Sequence, residues 1–183
     1  MNEHWPISQS RRRRSRGDTM LEFAFFVLPT FAIVCGFFDL GMALFTWNTL
    51  QNAVREGARY AVTYQTDSSG HQITSIKNTV ASWSMNFVTA SATSSGGGPY
   101  IDVNYYSQPT TANPNGSVVT GALANTSGNL VEVAVKNYPY AYMAPFSGSF
   151  AGAFYANPGS KLSISVYSTD LLGGTPYSGV PVP

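Results

Sequence analysis

The chain has 183 residues, 44% of them hydrophobic and only 10% charged, with a formal net charge of +1. That length holds one domain, or a small domain with an appendage, and the near-zero charge excludes a general polyanion binder such as a nucleic-acid protein relying on bulk charge. A single cysteine, Cys35, makes no internal disulfide, and His4 and His71 stand too far apart for a metal site, so neither metal nor other cofactor is expected.

The balance hides a split. Arg11, Arg12, Arg13, Arg14 and Arg16 face only Glu3 in residues 1–17, giving that head +4 and the remainder −3. A basic head and an acidic body point to two environments.

The apolar segment follows directly. Phe23 to Phe38 is free of charge, and Met20 to Phe38 as a helix spans about 28 Å, the thickness of a bilayer's hydrocarbon core. The helical pattern runs on past Asp39 to Ala61, so one long helix is predicted, its first half in the membrane. A buried core helix is the alternative, disfavoured by six phenylalanines in the run and by the preceding R-R-R-R-S-R. A cleavable secretory signal is also basic and then apolar, but its apolar region is shorter and ends at a small-x-small site. Basic flanks stay cytoplasmic, which orients the body outward. Pro29 removes one backbone bond inside the span and is expected to kink or loosen the helix; Ala32 and Gly36 form one small-xxx-small pair.

Arg16-Gly17-Asp18-Thr19-Met20-Leu21-Glu22 places a carboxylate five residues after a glycine, at the head of the apolar helix. An acid in hydrocarbon costs on the order of 2.5 to 3.5 kcal/mol at the bilayer centre, so one retained there has a partner. If the chain is cut after Gly17, the new ammonium of Asp18 lies about one turn from Glu22 and can pair with its own or a neighbour's carboxylate. A glycine before the cut suits a protease that needs an extended, unhindered backbone.

This arrangement resembles the prepilin signal of the type IV pilin superfamily. Glu22-Phe23-Ala24, Gly36-Phe37-Phe38-Asp39-Leu40-Gly41 and Leu50-Gln51-Asn52-Ala53-Val54-Arg55-Glu56-Gly57-Ala58-Arg59-Tyr60-Ala61 together resemble the TadE-like family, minor pilins or pseudopilins of the tight-adherence (Tad, Flp) pilus, over residues 17 to 64. The A-x-R-E-G-A-R-Y-A element is its most specific part and argues against pseudopilins of other branches. The resemblance implies cleavage between Gly17 and Asp18 by a membrane prepilin peptidase, and Glu22 as the contact that directs helix packing. It also implies pilin and minor pilin subunits and the pilus assembly platform as partners, besides the lipid bilayer. Asp18 departs from the small or apolar residue commoner after the cut. The implied location is the bacterial inner membrane, single-pass, with the N-terminus cytoplasmic and the body periplasmic or extracellular.

Asp39 falls about 24 Å past Phe23, near the outer interface, where it either ends the span or meets a basic group on a neighbouring helix. Arg55, Glu56 and Arg59 are the other candidates for interhelical polar contacts. Arg55 and Arg59 share one row, with Glu56 off it.

Beyond Asp67-Ser68-Ser69-Gly70, read as a turn or linker, Ile73, Ile76, Val80, Trp83 and Phe87 predict an amphipathic helix of about four turns. Three alternating runs predict strands: Ile101, Val103, Tyr105; Val131, Val133, Val135; Leu162, Ile164, Val166. The expected fold is α+β, the helix packed on an antiparallel sheet of about three strands, with loops at 89–99, 107–117 and 143–160. Its small core is expected to be completed by partners or by the outer half of the long helix. The domain reading is a cleaved leader 1–17, a transmembrane helix 18–39, its continuation 40–66 and an outer domain 67–183.

Tyr138, Tyr140 and Tyr142 are read on one strand face, followed by Phe146, Phe150, Phe154 and Tyr155. That face is either a second core layer or an exposed contact. The exposed version gives the alternative function, a membrane-anchored surface-binding or adhesin module with an aromatic ligand face. Arg16-Gly17-Asp18 as an adhesion tripeptide is dismissed, because it lies on the cytoplasmic side and is divided by the cut. The glycosylation matches at Asn115 and Asn125 are ascribed to composition. No Ser/His/Asp set or phosphate loop occurs, so no enzyme is expected.

Overall fold

The computed structural model describes residues 14–65, 71–94, 97–121, 124–141 and 162–173, with side chains from Asp18 onward. Two helices and four strands follow in the order α1 (Arg14–Val62), α2 (Gln72–Trp83), β1 (Ile101–Tyr106), β2 (Val118–Val119), β3 (Leu130–Pro139) and β4 (Ser163–Leu171). The chain divides into two compact units, one comprising residues 1–41 and 142–160, the other residues 42–141 and 161–183. The division falls inside α1, after Gly41. The predicted turn at Asp67–Gly70, the loop 143–160 and the aromatic residues Tyr142, Phe146, Phe150, Phe154 and Tyr155 lie outside the described residues.

In the first unit α1 is apolar and its large side chains from Met20 to Phe38 are exposed. The helix continues through Pro29. Proline leaves the carbonyl four residues back without its usual N–H, and one residue on, Thr30 Oγ1 donates to Phe26 O at 2.7 Å.

In the second unit α1 becomes a core element. Leu50, Ala53, Val54, Ala58 and Ala61 are buried, as is Gly57 between them. These positions recur every three and four residues and form one stripe. The outer half of the helix thus completes the small core, as expected. A Cβ on Gly57 would run into Val80 of α2 and stand 3.3 Å from Val133 of β3, so the missing side chain is what lets α2 and the sheet close on α1. Gln51 Nε2 also donates to Tyr167 O on β4, at 3.3 Å.

The sheet is antiparallel throughout, in the order β2-β1-β3-β4. The three expected strands are β1, β3 and β4; the fourth, β2, is a two-residue edge strand whose pair Val118–Val119 is too short to show alternation. In β1, Ile101 and Tyr105 are buried; in β3, Val131, Val133 and Val135; in β4, Ile164 and Val166. Leu162, read as a strand residue, precedes β4, where its carbonyl accepts from Tyr140 N–H at 2.8 Å.

One local expectation is corrected. The amphipathic helix is 12 residues long and ends at Trp83, so Phe87 is not on it and Trp83 is exposed. Met85 and Asn86 take positive φ, 53° and 61°, which stops the helix. Ser84 is fully buried at that corner, donating to Ala81 O at 2.7 Å and accepting from Val88 N–H at 3.4 Å. Phe87 is half-buried and packs edge-on against the exposed Phe45 of α1, ring centroids 6.3 Å apart.

The face of the tyrosines depends on an irregularity in β3. Strict alternation would set Tyr138 opposite Val135, but the β3–β4 register shifts between them: Val135 pairs with Val166 and Tyr138 with Ile164. Three residues of β3 advance against two of β4. This bulge at Lys136–Asn137, with Asn137 at φ 54°, returns Tyr138 to the core face. Tyr138 is half-buried and meets Tyr100 edge-on at 6.2 Å, and Tyr140 is 5% exposed. Of the two readings of this aromatic face, these two residues take the core one.

Candidate functional site

The helix α1 carries every residue singled out for function. Gly17 and Asp18 lie within its first turns, so the bond expected to be cut is helical in this structure. Asp18 and Glu22 are one turn apart and exposed, Glu22 among the exposed Met20, Leu21, Phe23, Phe25 and Phe26. A carboxylate in such a setting is tolerable in water; in hydrocarbon it needs a cation or hydrogen-bond donor at close range.

A window of 18 residues in α1 reaches a mean hydropathy of 2.1, and none of it is buried. The alternative of a core helix requires the opposite, a covered apolar surface. An exposed apolar surface of this extent marks contact with lipid or with other apolar helices. Among the described residues α1 is the one helix long and apolar enough to cross a membrane. Gly36 and Gly41 have open space where a Cβ would stand, so among the described residues neither is needed for close packing. Cys35 is half-buried.

Asp39 is buried, 6% exposed. Further on, the charged positions sort themselves by face. Arg55 and Arg59 are exposed and Glu56 half-buried. Arg59 Nη1 donates to Glu56 Oε1 at 3.2 Å, one turn back, so Glu56 is within reach of Arg59 at i,i+3 although it is off the Arg55–Arg59 row. Such an exposed pair contributes about 0–1 kcal/mol and yields readily to a better partner. Arg59 also stands in the last turn, where a cation is favourable beside the carbonyl ends.

The R-E-G-A-R stretch is therefore two-sided. Gly57 faces Val80 and Ile76 of α2 and Val133 of β3, Ala58 is buried on the same stripe as Leu50, Ala53, Val54 and Ala61, and Arg55 and Arg59 face outward with Glu56 half-buried. Sequence reasoning treated the stretch as a motif and missed its inward duty; the signal was available in the three-and-four spacing of small residues.

It also missed Gln72. This fully buried side chain donates from Nε2 to Ala61 O at 2.9 Å and accepts at Oε1 from Tyr105 OH at 3.3 Å and from Asn125 Nδ2 at 3.2 Å. One amide thus ties the last turn of α1 to β1 and to the 124–129 turn. Ala61 O accepts Tyr64 N–H as well, at 3.2 Å, and Tyr64 closes the helix with φ 54°. Burial, aided by nearby Tyr64, pushes the Tyr105 hydroxyl up to about 12. A lone glutamine at the start of a helix gives no sequence signal for such a role.

On the sheet, Lys136 Nζ meets Asp102 Oδ2 at 2.6 Å, and Asn104 Nδ2 donates to the same oxygen at 3.0 Å. Burial pushes the Asp102 carboxyl up, but these hydrogen bonds and the Lys136 and Lys77 charges outweigh it and hold the group below its ordinary range. The hydrogen bond to Asp102 in turn raises Lys136. The cluster fastens β1 to β3 beside the bulge. Among the described residues no group of three or more His, Cys, Asp or Glu is placed to hold a metal ion.

No curated protein and no solved structure gives a significant match to this chain. Residues 17–59 match the family described as TadE-like protein. That segment begins at the glycine before Asp18, takes in Glu22 and the exposed apolar surface, and ends at Arg59; over this segment the chain is similar to the TadE-like family.

Proposed function

We propose that the chain is a minor pilin or pseudopilin of the Tad (Flp) pilus, a structural and assembly subunit with no enzymatic role. α1 holds it in the bacterial inner membrane, leader inside and the α+β body outside, until it joins the pilus. A prepilin peptidase removes residues 1–17. The observation that carries the reading is the TadE-like match over 17–59 on a helix whose apolar surface none of the described residues covers.

In this mechanism the cut creates a charge where one is needed. The freed ammonium of Asp18 supplies Glu22 with a cation about one helical turn away, in its own chain or its neighbour's. The pair is favourable in hydrocarbon, where a lone carboxylate is costly, so helices meet in the register that brings the two ends together. Removing five arginines also frees the helix end from the cytoplasmic headgroups and allows it to leave the membrane. Other pilin subunits and the assembly platform are the partners this requires.

N-terminal sequencing of membrane-extracted protein, from cells with and without the peptidase, tests the reading. A chain beginning at Asp18 only where the peptidase is present supports it. Intact protein beginning at Met1 in peptidase-proficient cells refutes it.

A further inference from the structure

The second unit leaves one apolar surface open that the core does not use. Phe45, Trp47 and Arg55 of α1 and Trp83 and Met85 at the end of α2 line a groove of about 500 Å³. Trp47 is 45% exposed and Trp83 54%. The two tryptophans come from different elements, yet both turn away from the core and toward the same space. Met85 adds an exposed thioether, at the left-handed residue that ends α2.

The chemistry of the lining is one-sided. Besides the apolar residues it offers neutral amides and a hydroxyl, Asn48, Gln51, Asn52 and Thr49, and the cation Arg55; among the described residues no carboxylate lines it. That set suits an anionic phosphate set above apolar material.

The position along α1 identifies the source. From Phe23 to Phe45 the helix rises about 33 Å, close to the hydrocarbon thickness of a bilayer, which brings Phe45 and Trp47 to the far headgroup level. Tryptophan is enriched at that level because its ring is apolar and its N–H is polar, and arginine there reaches lipid phosphate while its stem stays in apolar surroundings.

We propose that this groove seats on the outer headgroup layer of the bilayer that α1 crosses, with Trp47, Trp83 and Met85 entering the interface and Arg55 pairing with lipid phosphate. The inference rests on the reading of α1 as a membrane span. Before assembly the body then lies against the membrane rather than turning free about its helix, and extraction into a filament breaks the lipid contact.

The test uses the full chain carrying Trp5→Phe and Trp47→Phe, which leaves Trp83 as the sole tryptophan, in vesicles of phosphatidylethanolamine and phosphatidylglycerol. Lipids brominated near the headgroup should quench Trp83 more than lipids brominated deep in the acyl chains, and acrylamide should reach it less than in detergent. Arg55→Gln should lower the ratio of seated to free body about fivefold in these vesicles and leave it unchanged in vesicles of neutral lipid alone.

A parallel chain in which Phe31→Trp is the sole tryptophan reports the span. If deep bromines quench that reporter while Trp83 stays open to acrylamide, the lipid seat is wrong and the membrane reading stands. If the span reporter is not quenched, both fall. Protection of Trp83 that disappears as lipid is added at constant protein assigns the groove to a second copy and overturns the proposal.

Discussion

Gly57 provides the sharpest test of how the helix and the body are joined. Replacing it by alanine adds one methyl group, and that methyl meets Val80 and, at 3.3 Å, Val133. Both neighbours are β-branched and fully buried, and Val80 is on a helix, where its χ1 is nearly fixed, so neither can swing aside. Overpacking of this kind costs about 1–3 kcal/mol. Against it stands the gain of about 1 kcal/mol from removing a glycine from a helix interior. Gly41→Ala isolates that gain, because Gly41 is in the same helix and its added Cβ meets nothing within 4 Å. The difference between the two variants is then the packing term alone. At about 2–4 °C per kcal/mol for a chain of this size, Gly57→Ala should melt roughly 2–12 °C below Gly41→Ala. The assay is near-UV circular dichroism of the detergent-solubilised full chain, which follows the aromatic side chains of the body. Equal melting, or a higher midpoint for Gly57→Ala, would refute the close approach of α2 and β3 to this face.

Gln72→Leu should cost at least about 2 kcal/mol in urea unfolding, because Ala61 O, Tyr105 OH and Asn125 Nδ2 each lose a buried partner; loss within 0.5 kcal/mol, roughly the size of a neutral surface change, would dismiss the network. Stability should fall in alkali, since the folded pKa of Tyr105, about 12, exceeds its ordinary 10.0: the contribution is complete below 10 and is lost as pH rises toward 12, up to about 3 kcal/mol. Denaturant midpoints measured across that window should lose much of this slope in Tyr105→Phe, and an unchanged slope would assign it elsewhere. Glu22→Ala should leave membrane insertion intact, by carbonate extraction, and lower pilus number; a normal pilus count would remove Glu22 from assembly.

Elements with a strong repeating pattern were legible. The exposed phenylalanines before Asp39, the stripe at Ile76 and Val80, and the alternating valines of β3 each declare a face, and the structure buries or exposes those faces as the periods require. What the periods do not report are places where one residue overrules them. Phe87 continues the spacing of α2, but Ser84 turns its hydroxyl back on the helix and Met85 and Asn86 reverse the backbone. Tyr138 falls out of phase with Val135 by count and back into phase through the bulge. No pattern reports such events, because they depend on what each residue meets across the fold. The site divides in the same way. Glu22 was legible from its placement before an apolar run, whereas Gln72 matters through Ala61, Tyr105 and Asn125, which are 11, 33 and 53 residues away.

The two-sided R-E-G-A-R stretch changes what mutations within it can mean. Its inward row holds the body on the helix, so a bulky residue at Gly57 or Ala58 acts first on the fold, and any loss of pili follows from a loosened body. Its outward row contributes little to the fold: the Arg59–Glu56 pair is exposed, and Arg55 is exposed at the groove. A charge reversal at Arg55 or Arg59 therefore perturbs surroundings, lipid or neighbouring subunit, while leaving the melting temperature near that of the parent. A defect in pili accompanied by an unchanged melt belongs to the outer row, and one accompanied by early melting belongs to the inner. Assigning the whole stretch to subunit contacts would predict no such separation, because Gly57 and Arg59 would then fail in the same way.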